Sequence, residues 1–77
     1  EDLLRIYQGK LMTQALLDNV EILTQRQQEV VNLYYRSVLS QKAISSRLGI
    51  SQQAVADSLQ RARTAVSNKL RNFIKMT

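Results

Sequence analysis

Apolar positions recur at three- and four-residue spacing along most of this chain, the period of an amphipathic helix, and they predict four helices and no strand. Proline is absent and glycine occurs only at positions 9 and 49, so helix ends must be read from capping residues and from the apolar period. The first helix, residues 2–19, carries Leu4, Tyr7, Leu11 and Ala15 on one stripe, widened by Leu3, Met12 and Leu16, with Gly9 as a possible bend. Thr24 caps a second helix over 25–36, with Gln27 as its capping-box partner and Val30, Val31, Leu33 and Tyr34 as its buried side. Ser37, Val38 and Leu39 form a link. Ser40 caps a short third helix over 41–48, with Ile44 and Leu48 inward, and Gly49 supplies a left-handed turn. Ser51 then caps a fourth helix over 52–74, where Val55, Leu59, Ala62, Val66, Leu70 and Phe73 make one continuous seam. At 1.5 Å per residue this helix is about 33 Å long, so its half beyond Thr64 should pack on the first helix or on another subunit.

The predicted fold is therefore all-α: a single domain over 1–77, with a helix-turn-helix at its centre and residues 1–20 as an additional N-terminal helix. Seventy-seven residues bury a modest core, and a stability of about 3–5 kcal/mol is expected. Neither cysteine nor histidine is present, which removes disulfides, thiolate nucleophiles, imidazole acid/base chemistry and the usual soft metal ligands. No metal site or cofactor is expected. The six acids are scattered, no glycine-rich phosphate loop accompanies them, and an enzyme is not expected. No apolar run is long enough for a membrane span and no signal-peptide pattern opens the chain, so a cytoplasmic, nucleoid-associated protein is expected. The chain opens on Glu1 rather than methionine, which reads as a piece of something longer.

Charge sharpens the picture. Glu1 to Glu29 carry five acids against three bases, whereas Val30 to Thr77 carry eight bases against Asp57 alone, leaving the halves near −2 and +7. A basic half on a compact domain suits a polyanion, and double-stranded DNA fits the two-helix pattern. With Val55 inward, 100° per residue sends Gln53, Ala56, Asp57, Gln60, Arg61 and Thr64 to the opposite face of the fourth helix. Gln52 and Gln53, at its start, should reach deepest into a major groove, where glutamine pairs with adenine and Ala56 leaves room beside a thymine methyl. Asp57 is the unexpected member of this face: it could accept from cytosine or hold Arg61. Gln52, Gln53, Ala56, Asp57 and Gln60 are thus the base-reading candidates, and Ser40, Lys42, Arg47, Ser51, Arg61, Arg63 and Thr64 are the phosphate candidates.

Three stretches, LTQRQQEVVNLYY from Leu23, LSQKAISSRLGIS from Leu39 and LQRAR from Leu59, resemble region four of bacterial sigma factors over residues 22–70. Sixteen residues separate Leu23 from Leu39, which fits that pattern; the helix-turn-helix of LuxR-type regulators runs one shorter and lacks the LYY and RAR elements. The resemblance implies recognition of the −35 promoter element by the fourth helix and docking on the β flap of RNA polymerase by earlier helices. It places Gln52, Gln53, Ala56 and Asp57 at base-reading positions, and Arg36, Lys42, Arg47 and Arg61 near phosphates. Ala43 and Ser45 stand where the family commonly has an acid and a small apolar residue, and basic residues are more usual near the start of the reading helix, departures that bear on base preference more than on fold. No counterpart is found for residues 1–20, and no promoter-melting region is present. The chain is expected to be either a fragment of a sigma factor or a small stand-alone regulator, bacterial or phage-encoded. An alternative is a protein-interaction module of the same fold that binds polymerase or a regulator with little DNA contact. In that case the apolar face of the first helix, Leu3, Tyr7, Met12 and Leu16, would hold a partner or a second copy, unless it covers the domain's own core.

Overall fold

The computed structural model describes residues 10–76, with side chains from residue 12 to residue 72. Four α-helices follow one another: α1 (Lys10–Asp18), α2 (Gln25–Val31), α3 (Gln41–Leu48) and α4 (Gln52–Met76). A 3-10 turn, Val20–Ile22, lies between α1 and α2, and a π-helical turn, Asn32–Arg36, continues α2. No strand occurs among the described residues, and none of the helices searched is long and apolar enough to cross a membrane. Leu3, Tyr7 and Gly9 lie outside the described residues, as does the expected first helix before Lys10.

Each boundary has a local cause. Beyond α1, Asn19 adopts φ −121° and ψ 26° and its amide donates to the Ala15 carbonyl at 2.8 Å. The 3-10 turn, closed by Ile22 N–H to Asn19 O at 3.1 Å and Leu23 N–H to Val20 O at 3.0 Å, delivers Leu23 into the core. Thr24 and Gln27 form the expected capping box, at 3.1 Å and 3.2 Å, which satisfies two backbone donors that a helix start would otherwise leave open. Ser40 accepts from Ala43 N–H at 3.1 Å, and Ser51 accepts from Ala54 N–H at 3.0 Å, as N-caps should. Gly49 sits at φ 69°, in the left-handed region, and ends α3.

The second helix departs from expectation. Residues 25–36 are helical throughout, but the last five widen to a π turn, with Ser37 N–H bonded to Asn32 O at 3.1 Å. Leu33, Tyr34 and Tyr35 all pack half-buried against the core in this turn, and the two tyrosine rings meet edge to face at 4.9 Å. The turn closes through Val38, which holds φ 57°, followed by Leu39 N–H bonded to Leu33 O at 3.0 Å. Val38 thus occupies a left-handed position that glycine usually fills.

Leu16, Leu23, Val30, Val31, Ile44, Val55, Leu59, Ala62 and Val66 form one core drawn from all four helices and the turn before α2. The α4 seam is therefore present as predicted from Val55 to Val66, with Leu70 packed beside it. Leu16 is fully enclosed and Met12 packs on the core, so the described part of the α1 stripe covers the domain itself. That geometry withdraws Leu16 from the partner or dimer contacts expected of it. The far half of α4 packs back on α1: Lys69 Nζ donates to Asn19 Oδ1 at 2.8 Å and lies 3.5 Å from Glu21 Oε2. Ser45, the one buried polar residue among the described residues, donates its hydroxyl to the Lys42 carbonyl at 2.8 Å, and no buried side-chain nitrogen or oxygen among them lacks a partner.

Candidate nucleic-acid interface

The two helices α3 and α4 meet across Gly49–Ser51 and share one support. Ile44 from α3 and Val55 and Leu59 from α4 are sealed in the core, which fixes the rotation of both helices about their axes. With that side of α4 locked, the opposite side is presented to solvent. Gln53, Asp57 and Gln60 are exposed there and Ala56 is half-buried, while Gln52, only about 60° round from Val55, is exposed as the first residue of the helix. All five base-reading candidates therefore sit on the first two and a half turns of one helix, where a side chain can reach a groove floor.

The phosphate candidates divide into four groups. Lys42, Arg47 and Arg61 are exposed, and no ion pair among the described residues engages them. Ser40 and Ser51 use a lone pair on a backbone N–H and keep the hydroxyl proton, which remains able to donate to a phosphate oxygen. Arg36 is exposed and is steadied by Nε donating to Asn32 Oδ1 at 3.1 Å, which leaves its terminal nitrogens outward. Arg63 and Thr64 each make one contact within the domain. Arg63 is half-buried and donates from Nη2 to the Tyr35 hydroxyl at 2.8 Å, because eight residues beyond Val55 is only about 80° round the helix, on the flank of the core. The Thr64 hydroxyl donates back to the Gln60 carbonyl at 3.0 Å. Arg63 is thus anchored through one of its five N–H groups and keeps the others as donors, whereas Thr64 spends its single hydroxyl proton within α4.

Asp57 is held by a neighbour other than the one expected. Gln53 Nε2 donates to Asp57 Oδ1 at 3.1 Å, while no ion pair joins Asp57 to Arg61. Beside Asp57 and Arg61 runs an open cleft of about 350 Å³ lined also by Thr24, Arg26, Gln27, Ala54 and Ser58. It brings Arg26, whose Nε lies 3.7 Å from Glu29 Oε1, to the edge of the α4 face. The sequence reading assigned Arg26 no role, and no local signal could have done so, since only the packing of the α2 start against α4 makes them neighbours. Among the residues searched, no group of three or more acidic, cysteine or histidine side chains could hold a metal ion.

The fold is that of a DNA-binding regulator, and comparison with known proteins names it. The chain is 40% identical over 47 residues to a UPF0122 protein from Desulforamulus reducens, a match covering 61% of this chain and 40% of that protein. The chain thus spans about two fifths of the length of this curated relative. No solved structure matches. The family described as sigma-70, region 4, matches residues 13–66, which takes in Thr13–Val20, where the sequence reading found no counterpart, and stops short of Leu70. This span includes most of α1 with Leu16. With well over half its residues inside that match, the chain belongs to the sigma-70 region 4 family.

Proposed function

We propose that the chain is a sequence-specific reader of promoter DNA that works in contact with RNA polymerase. The family is a non-enzymatic DNA-binding fold whose members act with polymerase in general; the specific reading rests on one observation. Gln52, Gln53, Asp57 and Gln60 stand exposed on α4 while the same helix is locked from behind by Val55, Leu59 and Ala62. A rigid helix with a polar, hydrogen-bonding face and flanking cations suits major-groove insertion. In this reading Gln52, Gln53, Ala56, Asp57 and Gln60 meet base edges, and Lys42, Arg47, Arg61, Arg36, Ser40 and Ser51 meet phosphates. The resemblance to region four supports docking of the earlier helices on the β flap of polymerase.

Affinity for duplex DNA is expected to fall with salt, with a log–log slope of about −0.9 per phosphate neutralised. Arg47→Ala should weaken preferred and random duplexes alike and reduce that slope by about one. Gln52→Ala should cost about 1–3 kcal/mol on the preferred duplex and little on random DNA. Binding that is flat in salt overturns the reading. The exposed Val38 favours a second reading, a protein-interaction module with little DNA contact, and this predicts that Val38→Asp abolishes capture of polymerase while Gln52→Ala changes nothing.

A further inference from the structure

Gln53 and Asp57 lie one turn apart at the tip of the exposed α4 face, and the direction of their hydrogen bond is chemically forced. A carboxylate has lone pairs and no proton to give, so the Gln53 amide must turn its NH2 towards Asp57 Oδ1. Its carbonyl Oε1 is then held away from that contact, and Asp57 keeps Oδ2 without a partner among the described residues. An isolated glutamine is adaptable, because its amide can rotate to present either a donor or an acceptor. Tied to Asp57, it cannot. The pair presents three oxygens and a negative charge against a single remaining N–H, in a region whose other charges are positive.

From this we infer that Gln53 and Asp57 act as one acceptor-rich unit that selects an exocyclic amino group, cytosine N4 or adenine N6, and excludes guanine at the position beneath them. Guanine shows only acceptors, N7 and O6, on its major-groove edge, and they would face the Asp57 carboxylate across the contact. Thymine offers O4 and a methyl and gains nothing from the pair. Asp57, out of place among phosphate-binding cations, then acts through exclusion: it penalises the wrong base more than it rewards the right one. The competing account is an ordinary helix-surface pair four residues apart that adds a few tenths of a kcal/mol to α4 and reads nothing.

This assignment rests on the DNA-reading function proposed above, and site selection from random duplex DNA tests the two separately. The 77-residue chain, Asp57→Asn and Asp57→Ala would be compared at one salt concentration, with far-UV circular dichroism to verify that the exposed substitutions leave the helices intact. The unsubstituted chain should retain adenine or cytosine at one position of the reading strand. Asp57→Asn, whose amide can donate, should relieve the exclusion of guanine there by about fivefold or more, the lower end of what one base-edge contact carries. Asp57→Ala should restore the adaptability of Gln53 and favour adenine over cytosine. Selection of guanine by the unsubstituted chain, or an identical base preference in all three proteins, overturns the assignment and leaves the DNA reading standing. Absence of duplex binding by the unsubstituted chain overturns both.

Discussion

Val38 and Gly49 hold nearly the same left-handed backbone, φ 57° and φ 69°, with opposite side-chain chemistry. A β-branched residue there carries strain of about 1–2 kcal/mol, and Val38 recovers little of it by burial because it is 80% exposed. Val38→Gly should therefore stabilise the domain by about 0.5–1 kcal/mol, the strain relieved less the entropy that glycine adds to the unfolded chain. Urea denaturation measures it, and a loss of stability would show that the valine makes contacts beyond those seen. Gly49→Ala should do the reverse. A Cβ at Gly49 meets nothing within 4 Å, so the cost is the backbone term alone, about 1–2 kcal/mol, and a larger loss would point to displacement of α4 relative to α3. Gly49 was legible in the sequence because glycine advertises its conformation. Val38 was not, because nothing in valine signals a left-handed turn.

At the scale of elements, the N-terminal starts were the most legible features, since capping is a local contest between a side chain and backbone donors within one turn. Thr24, Ser40 and Ser51 all cap as their neighbours require. The π turn was hidden for the opposite reason: Asn32–Arg36 reads as ordinary helix, and its extra width depends on what Tyr34 and Tyr35 pack against. Tyr35 and Arg63, 28 residues apart, fasten that turn to α4 through one hydrogen bond. Tyr35→Phe should destabilise by about 0.5–1.5 kcal/mol, with most of the loss absent when Arg63 is already alanine. A double-mutant cycle in chemical denaturation measures the coupling. Additive losses would mean that each side chain contributes only its own packing.

Across the described residues, stability rests on one small core to which all four helices contribute. A domain of this size has about 3–5 kcal/mol to lose, and truncation of an enclosed leucine costs about 2–5 kcal/mol. Leu16→Ala, at 0% exposure, should therefore bring the chain close to its unfolding threshold and weaken DNA binding only through loss of folded protein. Thermal melting followed by circular dichroism checks this, and an unchanged melt would return α1 to the role of a partner surface. Lys69→Ala should cost under about 1 kcal/mol, although Lys69 joins the two ends of the described chain, because both of its contacts are exposed.

By itself the sequence determined the helix count, the caps, the inward seam of α4 and hence which side of that helix faces out. All are periodic or local properties, written in residues within a turn or two of one another. Charge and motif pointed to DNA in the same way, through residues that are neighbours in the chain. The tertiary structure decided matters between residues that sequence distance separates or that compete for one partner. It turned the described part of the α1 stripe inward with Leu16, tied Arg63 to Tyr35, drew Arg26 to the edge of the exposed α4 face, and gave Asp57 to Gln53 rather than to Arg61. Periodicity names the face on which a side chain lies; only packing and the competition among nearby donors decide which contact it makes.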